Sequence, residues 1–270
     1  MTNAIHLAAT QHRGRLARIQ QDALLVAGDI AQSPDAPVTS LTLSRSEGLC
    51  ALADGVAISP VPQLASRTVL ESLRTADQTR ADRLQDGWIG PRLIRQHVQT
   101  HLCRRLAHDR RTHGAASTLA LLQWRDARFS VVNVGDSRVY RIGADGVWQR
   151  LSKDHTYRQS MIERGEIDPD QSVGQLYNDL EHMLIADEAE EDFAVQWRQG
   201  DWVPGDTFLL CTDGVHDTLG DDRLAALYRA DRSVAEQAIR YREAVLSAGA
   251  PDNFSLILLR GERREESPVL

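Results

Sequence analysis

Four apolar runs along this chain meet an aspartate at one end. Residues 48–54 read Gly-Leu-Cys-Ala-Leu-Ala-Asp and residues 131–136 read Val-Val-Asn-Val-Gly-Asp. Residues 208–214 read Phe-Leu-Leu-Cys-Thr-Asp-Gly and residues 252–258 read Asp-Asn-Phe-Ser-Leu-Ile-Leu. Short runs of this kind, rich in branched residues and bounded by Gly and Asp, predict strands buried in a core. Further strand-like segments fall near 3–9, 22–27, 38–44, 116–123, 138–142, 147–151 and 193–198. Helical periodicity falls near 63–76, 90–110, 221–230 and 233–248. The second of these starts after Gly90-Pro91, a good start signal, and its Leu93, Ile94, Val98, Leu102 and Leu106 predict one buried face.

Strands cluster, then a helical pair, then more strands, then another pair. That order lacks the strict alternation of a parallel sheet, so it predicts an α+β fold with antiparallel sheets. A hairpin is expected between 129–134 and 138–142, turning at Gly135-Asp136-Ser137. The polar, acidic stretch 155–192 is expected to be irregular and functional. One domain is expected over 1–260, with residues 261–270 a disordered tail.

Composition narrows the function. With 270 residues and 42% hydrophobic content the chain can bury a substantial core. The net charge of -7 argues against a nucleic-acid backbone as partner. Arg104, Arg105, Arg110 and Arg111 read as a solvated helix face. The widely spaced Cys50, Cys103 and Cys211 argue against a disulfide scaffold and for a reducing compartment. The start Met-Thr-Asn-Ala-Ile-His-Leu lacks the features of a signal peptide. No apolar run reaches the ~20 residues needed to cross a bilayer. A cytoplasmic protein without membrane contact, and a monomer, is the expectation.

The aspartates supply the chemistry. A lone Asp-Gly or Asp-Asn at a strand tip reads as a turn. Several tips brought together would crowd carboxylates that resist joint ionisation, and hard cations such as Mg²⁺ or Mn²⁺ relieve that repulsion. Asp22, at the head of the run at 22–27, joins Asp54, Asp136, Asp213 and Asp252. Such a set suits two cations a few ångströms apart, which can hold phosphate oxygens and stabilise an in-line displacement. Bound metals would also reverse the sign of an acidic pocket that otherwise repels phosphate.

These residues and their surroundings resemble the metal-dependent type 2C protein serine/threonine phosphatases of bacterial type. The matching blocks are Gln-Asp-Ala at 21–23, Leu-Ala-Asp-Gly at 52–55, Gly-Ala-Ala-Ser-Thr at 114–118 and Asn-Val-Gly-Asp-Ser-Arg-Val-Tyr at 133–140. They continue with Leu-Ser-Lys-Asp-His-Thr at 151–156, Leu-Cys-Thr-Asp-Gly-Val-His-Asp at 210–217 and Asp-Asn-Phe-Ser at 252–255. The resemblance implies two central antiparallel sheets flanked by helices on both sides. It implies hydrolysis of phosphoserine and phosphothreonine on proteins by a metal-bridging hydroxide, with two Mn²⁺ or Mg²⁺ ions and a more weakly held third.

In that scheme Asp54 bridges two metals, and the Gly55 carbonyl binds one of them. Asp213 and Asp252 complete the other shell, and Asp22 contacts the second metal directly or through water. Asp136 shares the third ion with Asp213, while Asn253 orients the Asp252 turn. Asp154 and His155 are expected to be a structural hydrogen-bonding pair. Residues 157–192 correspond to the family's flap, which borders the site. The resemblance extends to bacterial phosphatases that oppose a Ser/Thr kinase, including those near type VI secretion systems, and so implies a kinase or its target as partner.

Two departures stand out. The family's phosphate-binding Arg lies five residues before the first Asp, where this chain has Ala17, with Arg18 one step nearer. In a strand that shift turns a side chain to the opposite face, leaving Arg18 as a phosphate ligand reached through a bulge or as a surface arginine. After Gly55 the family's further glycines are replaced by Val56-Ala57-Ile58-Ser59-Pro60.

Other hydrolase chemistries fail on the residues. The positions six after Cys50, Cys103 and Cys211 are Val56, Asp109 and Asp217, so no cysteine-phosphatase loop exists. No Gly-x-Ser-x-Gly elbow is present, and the lack of Cys-x-x-Cys argues against zinc. The remaining rival is a catalytically impaired binding or sensory module on the same fold. Retention of all five aspartates favours the enzyme.

Overall fold

The structure is a computed structural model that describes residues 4–78, 87–169, 171, 174, 178–189 and 192–262. Two six-stranded antiparallel sheets face each other. The first has the order β10-β9-β13-β14-β1-β4. It comprises β1 (Ala4–His12), β4 (Asp35–Leu43), β9 (Arg138–Ile142), β10 (Trp148–Arg150), β13 (Thr207–Cys211) and β14 (Phe254–Glu262). The second has the order β12-β8-β7-β5-β2-β3. Its strands are β2 (Ala23–Val26), β3 (Asp29–Ala31), β5 (Glu47–Ala53), β7 (Leu119–Arg125), β8 (Arg128–Val134) and β12 (Gln196–Asp201). A small pair, β6 (Ala116–Ser117) with β11 (Leu184–Ile185), stands apart.

Alternation of side chains across each strand divides the apolar residues among three layers. In β13, Phe208 and Leu210 enter the layer between the sheets, while Leu209 and Cys211 face helices on the outside. In β7, Ala120, Leu122 and Trp124 face inward, and Leu119 and Leu121 face the other helical layer. Helices cover both outer faces. One is packed by α1 (Pro62–Gln78) and by a composite helix of α2 (Pro91–Leu93), a π segment (Ile94–Gln99) and α3 (Thr100–Leu106). The other is packed by α5 (Asp213–Leu219), α6 (Asp221–Leu227) and α7 (Val234–Ser247). The expected α+β arrangement of two antiparallel sheets flanked by helices is therefore what the chain forms. Strands buried on both faces read as continuous apolar runs because neither face meets water.

Ile94, Val98, Leu102 and Leu106 are all buried, as expected. Their repeated four-residue steps overshoot an α-helical turn by about 40° each. The wider π segment over Ile94–Gln99 absorbs part of that drift, which keeps the stripe on the core.

Three expectations are corrected. The segments at 129–134 and 138–142 do not form a hairpin: β8 belongs to the second sheet and β9 to the first. The chain crosses between sheets at Gly135-Asp136-Ser137, with Gly135 at φ +95°, a conformation that favours glycine. The hairpin partner of β8 is β7, turning at Asp126-Ala127. Arg260, Gly261 and Glu262 belong to β14 and pair with His6, Ile5 and Ala4, so the ordered region extends past 260. The rest of the expected tail, 263–270, lies outside the described residues. In the stretch expected to be irregular, Tyr157–Glu163 forms α4, capped by the Thr156 hydroxyl accepting from the Gln159 N–H.

Phe208 sits between the sheets, with ring centroids 5.0 Å from Phe129 and 4.9 Å from Trp202. Phe208→Ala is expected to cost about 3–5 kcal/mol in urea unfolding, from lost burial and the cavity left behind.

Candidate metal centre

Strand register brings the aspartates to one end of the sandwich. Asp22 immediately precedes β2 and Asp54 immediately follows β5. These strands pair antiparallel with Ala23 opposite Ala53, so the two aspartates are neighbours one step beyond the ladder. Asp213 lies two residues past β13, as the first residue of α5, and Asp252 lies two residues before β14. β13 and β14 pair with Cys211 opposite Leu256, which returns these two to the same end. Asp136 arrives on the crossing between β8 and β9. Asp54, Gly55, Asp136, Asp213 and Asp252 line one cavity of about 610 Å³, and Asp22 is fully buried behind them.

Backbone and hydroxyl contacts fix the carboxylates. The Asp54 N–H donates to Thr118 Oγ1 at 3.0 Å, and the Asp54 carbonyl accepts from the Thr118 N–H at 2.8 Å. Thr118 Oγ1 in turn lies 2.9 Å from Ser137 Oγ, tying β7 to the crossing. Thr212 Oγ1 donates to Asp22 Oδ2 at 3.0 Å, linking the two sheets. Gly55 is packed so tightly that a Cβ there would lie 2.2 Å from the Pro62 carbonyl oxygen, so the residue after Asp54 must be glycine.

Asn253 holds the loop that leads to Asp22. Its Oδ1 accepts from the Gln21 N–H at 2.6 Å, and its Nδ2 donates to the carbonyls of Arg13 and, at 3.2 Å, Ile19. Its own N–H donates to Asp252 Oδ1 at 2.7 Å. It thereby couples Asp252 to the segment before Asp22, a wider task than orienting one turn.

The carboxylates perturb one another. Burial, with the charge of Asp213, pushes Asp22 up to about 7, against the opposing hydrogen bond from Thr212. Burial and then the charges of Asp22, Asp213 and Asp136 raise Asp54 well above the carboxylate range. Burial and then Asp213 raise Asp136, and burial and then Asp252 raise Asp213. Among the described residues no group of three or more His, Cys, Asp or Glu side chains holds a metal geometry as it stands. The donor set is nevertheless incomplete in a telling way: Asp22 Oδ1 and Asp213 Oδ1 are buried and lack a hydrogen-bond partner. Unsatisfied buried anionic oxygens are costly, and oxygen-only donors suit Mg²⁺ or Mn²⁺. The residues fit hard divalent cations.

Several supporting residues escaped the sequence reading. His216, on α5 one turn after Asp213, is buried and places Nε2 3.1 Å from the Asp136 carbonyl oxygen. The Asp-x-x-His spacing on a helix was the available signal. Thr118 and Thr212 left no such signal, because their partners are distant in sequence. Asp154 and His155 anchor the crossing separately rather than as a pair. Burial would raise Asp154, but the bidentate Arg138 guanidinium, 2.6 Å away at its nearest, holds it below the usual range. His155 Nδ1 accepts from the Gly135 N–H at 3.1 Å, and burial, followed by the charges of His182 and Lys153, lowers it to about 4.

Arg18 is exposed and does not line the cavity. Residues 13–22 form no strand, so the face-switching argument for Arg18 does not apply to this loop. The chain's one His-x-x-x-His spacing, His97 and His101, lies on the composite helix away from the cavity.

With metal removed by chelation, Asp22 should destabilise the fold above its unfolded pKa. Its folded value is raised from 3.8 to about 7, so stability falls as pH climbs through that window and then levels off. Asp22→Asn removes the burden. Urea unfolding in chelator should show the variant more stable by about 1–3 kcal/mol near pH 8, with the gap closing near pH 4. Mn²⁺ at about 100 times its Kd should add about 2.7 kcal/mol to the wild type and less to the variant.

A family model described as protein phosphatase 2C matches residues 35–248. The Mycobacterium tuberculosis serine/threonine protein phosphatase PstP is 26% identical over 216 residues, which are 78% of this chain. The chain spans about 40% of that relative's length. The crystal structure of the Mycobacterium tuberculosis phosphatase PstP/Ppp superposes with a TM-score of 0.77 at 23% identity, covering 96% of this chain and 100% of that one. A structure of the PstP catalytic domain in complex with two manganese ions superposes with a TM-score of 0.72 at 24% identity, covering 97% and 100%. These likenesses carry the fold of the sandwich.

Proposed function

The chain belongs to the protein phosphatase 2C family, and from that premise we propose that it hydrolyses phosphoserine and phosphothreonine esters on proteins with Mn²⁺ or Mg²⁺. The observation that carries this reading is the convergence of five aspartates from both sheets, with two buried carboxylate oxygens left unpartnered. Divalent cations held there supply positive charge to phosphoryl oxygens and activate water for in-line displacement.

The chain's own residues do the holding. Asp54, clamped through both backbone groups, would serve as the ligand shared between the ions, with the Gly55 carbonyl beside it. Asp213 and Asp252 would hold one ion. Asp22, buried behind the cavity, would hold the other, directly or through water. Asp136, with Asp213, would hold a more weakly bound third. His216 fixes the Asp136 backbone, and Asn253 fixes the approach to Asp22.

The same reading places the protein opposite a serine/threonine kinase, on that kinase or its targets, in the cytoplasm. The three cysteines are buried and unbridged, which suits a reducing compartment. Among the described residues no helix is long and apolar enough to cross a membrane.

Hydrolysis of a phosphothreonine peptide with Mn²⁺ tests the reading. Turnover is expected with metal and should vanish in chelator. Asp54→Asn and Asp213→Asn should each lower kcat/KM by roughly 10³-fold, since each loss removes several kcal/mol of charge stabilisation. Activity that survives chelator or Asp213→Asn would sink the metal mechanism. A folded, metal-loaded wild type without turnover would favour the binding-module alternative. Arg18→Ala should leave KM within about twofold of wild type, because uniform phosphate binding lost at this residue would raise it further.

A further inference from the structure

The cavity that holds the aspartates has a second, chemically opposite part. Beside the carboxylate floor its walls carry apolar side chains from two parts of the chain, Val56 and Ile58 from the loop after Asp54 and Tyr157, Met183 and Ile185 from the later segment, next to the polar Gln21, Asn178 and Asp179. Its volume of about 610 Å³ falls within the roughly 300–1,000 Å³ typical of ligand sites. No Lys or Arg is among the described residues that line it. Ile58 is 97% exposed, the most exposed of the large hydrophobic side chains among the described residues. Single exposed apolar residues are ordinary on protein surfaces. This one sits at the mouth of the functional cavity with four other apolar side chains around the same opening.

The loop presents Ile58 rigidly. The Ser59 N–H donates to the Val56 carbonyl at 2.8 Å, closing a turn with Ala57 and Ile58 at its corners. Such corners usually hold Gly, Asn, Asp or Ser, and an isoleucine there gains nothing from the turn itself. The Val56 N–H donates to the Ala116 carbonyl at 3.0 Å, and Ser59 Oγ accepts from the Ala116 N–H at 3.0 Å. Ala116 lies on β6 and pairs with Ile185 on β11, so one small sheet joins the two apolar walls. The loop ends at Val61, a β-branched residue at φ +42° between Pro60 and Pro62. Strain of that kind, of order 1–3 kcal/mol, persists where the surroundings enforce it and clusters at ligand clamps.

We propose that Ile58, with Met183 and Tyr157 of the same cavity, forms a subsite that takes an apolar side chain next to the phosphorylated residue of a protein substrate. The inference rests on the phosphatase reading, since the phosphorylated residue seats the peptide over the aspartates. The occupant follows from continuity: these walls adjoin the aspartate floor, so a peptide whose phosphorylated side chain reaches the floor has a neighbour within reach of them. An acidic neighbour would meet Asp179 on this lining, with no Lys or Arg among the described lining residues to offset it. An apolar neighbour would shed water from Ile58, at a gain proportional to the area covered.

The test uses the full chain with Mn²⁺ and three phosphothreonine peptides identical except for Leu, Ser or Glu on both sides of the phosphorylated residue, with p-nitrophenyl phosphate as a substrate that has no neighbours. Wild type should favour the Leu peptide over the Ser peptide by about 10-fold in kcat/KM, the lower end of discrimination by an apolar pocket, with most of the difference in KM. The Glu peptide should be poorest. In Ile58→Ser, a change at a fully solvated position, the Leu-to-Ser ratio should fall below about 3. Turnover of p-nitrophenyl phosphate with equal kcat/KM for the Leu and Ser peptides would overturn the subsite alone, as would a wild-type preference for Glu or a ratio unmoved by Ile58→Ser. Absence of p-nitrophenyl phosphate turnover by the metal-loaded wild type would overturn the phosphatase reading and the subsite with it.

Discussion

Mutual repulsion among buried carboxylates is the constraint on which this molecule turns. Asp22, Asp54, Asp136 and Asp213 are each pushed toward protonation, first by burial and then, except at Asp213 where Asp252 contributes, by other members of the same four. Left to itself such a cluster would splay apart or take up protons. It persists because the groups around it are rigid, and because a cation can convert the repulsion into affinity. Stability given up to this repulsion without a cation would be regained on binding one.

The rigidity comes from contacts that join distant parts of the chain. Thr118 grips both backbone groups of Asp54, Thr212 reaches from one sheet to Asp22 on the other, and Asn253 spans to residues 13–21. His155 and His216 hold the two ends of the Gly135-Asp136 crossing. None of these residues carries the aspartates' chemistry, yet each decides where a carboxylate points. The apolar mouth uses the same economy: Ala116 holds the Val56–Ser59 turn and, through β11, the opposite wall.

The strand runs, the helix faces and the order of the aspartates could all be read from sequence, since each is a local pattern. The antiparallel class was also legible, from the lack of alternating strands and helices. The hairpin at Gly135-Asp136-Ser137 was misjudged for a definite reason. A glycine turn between two apolar runs looks the same whether the second run pairs with the first or leaves for another sheet. The short β3 and β11 went unread, as three and two residues carry too little pattern. Arg18 lies between the strands predicted near 3–9 and 22–27, and β1 ends at His12, so its direction is set by a loop that carries no periodic pattern.

By itself, then, the sequence determined that apolar runs would be buried and that their ends would carry carboxylates. Hydrophobic burial and turn chemistry act over a few residues, so they are written in consecutive positions. Only the tertiary structure decided which ends meet. The Ala23–Ala53 register sets Asp22 beside Asp54, and the β13–β14 pairing returns Asp213 and Asp252 to the same end. Pairing of this kind joins residues far apart in sequence, 30 for Ala23 and Ala53 and 45 for Cys211 and Leu256. Strands buried on both faces show no polar alternation to reveal which layer each side chain enters.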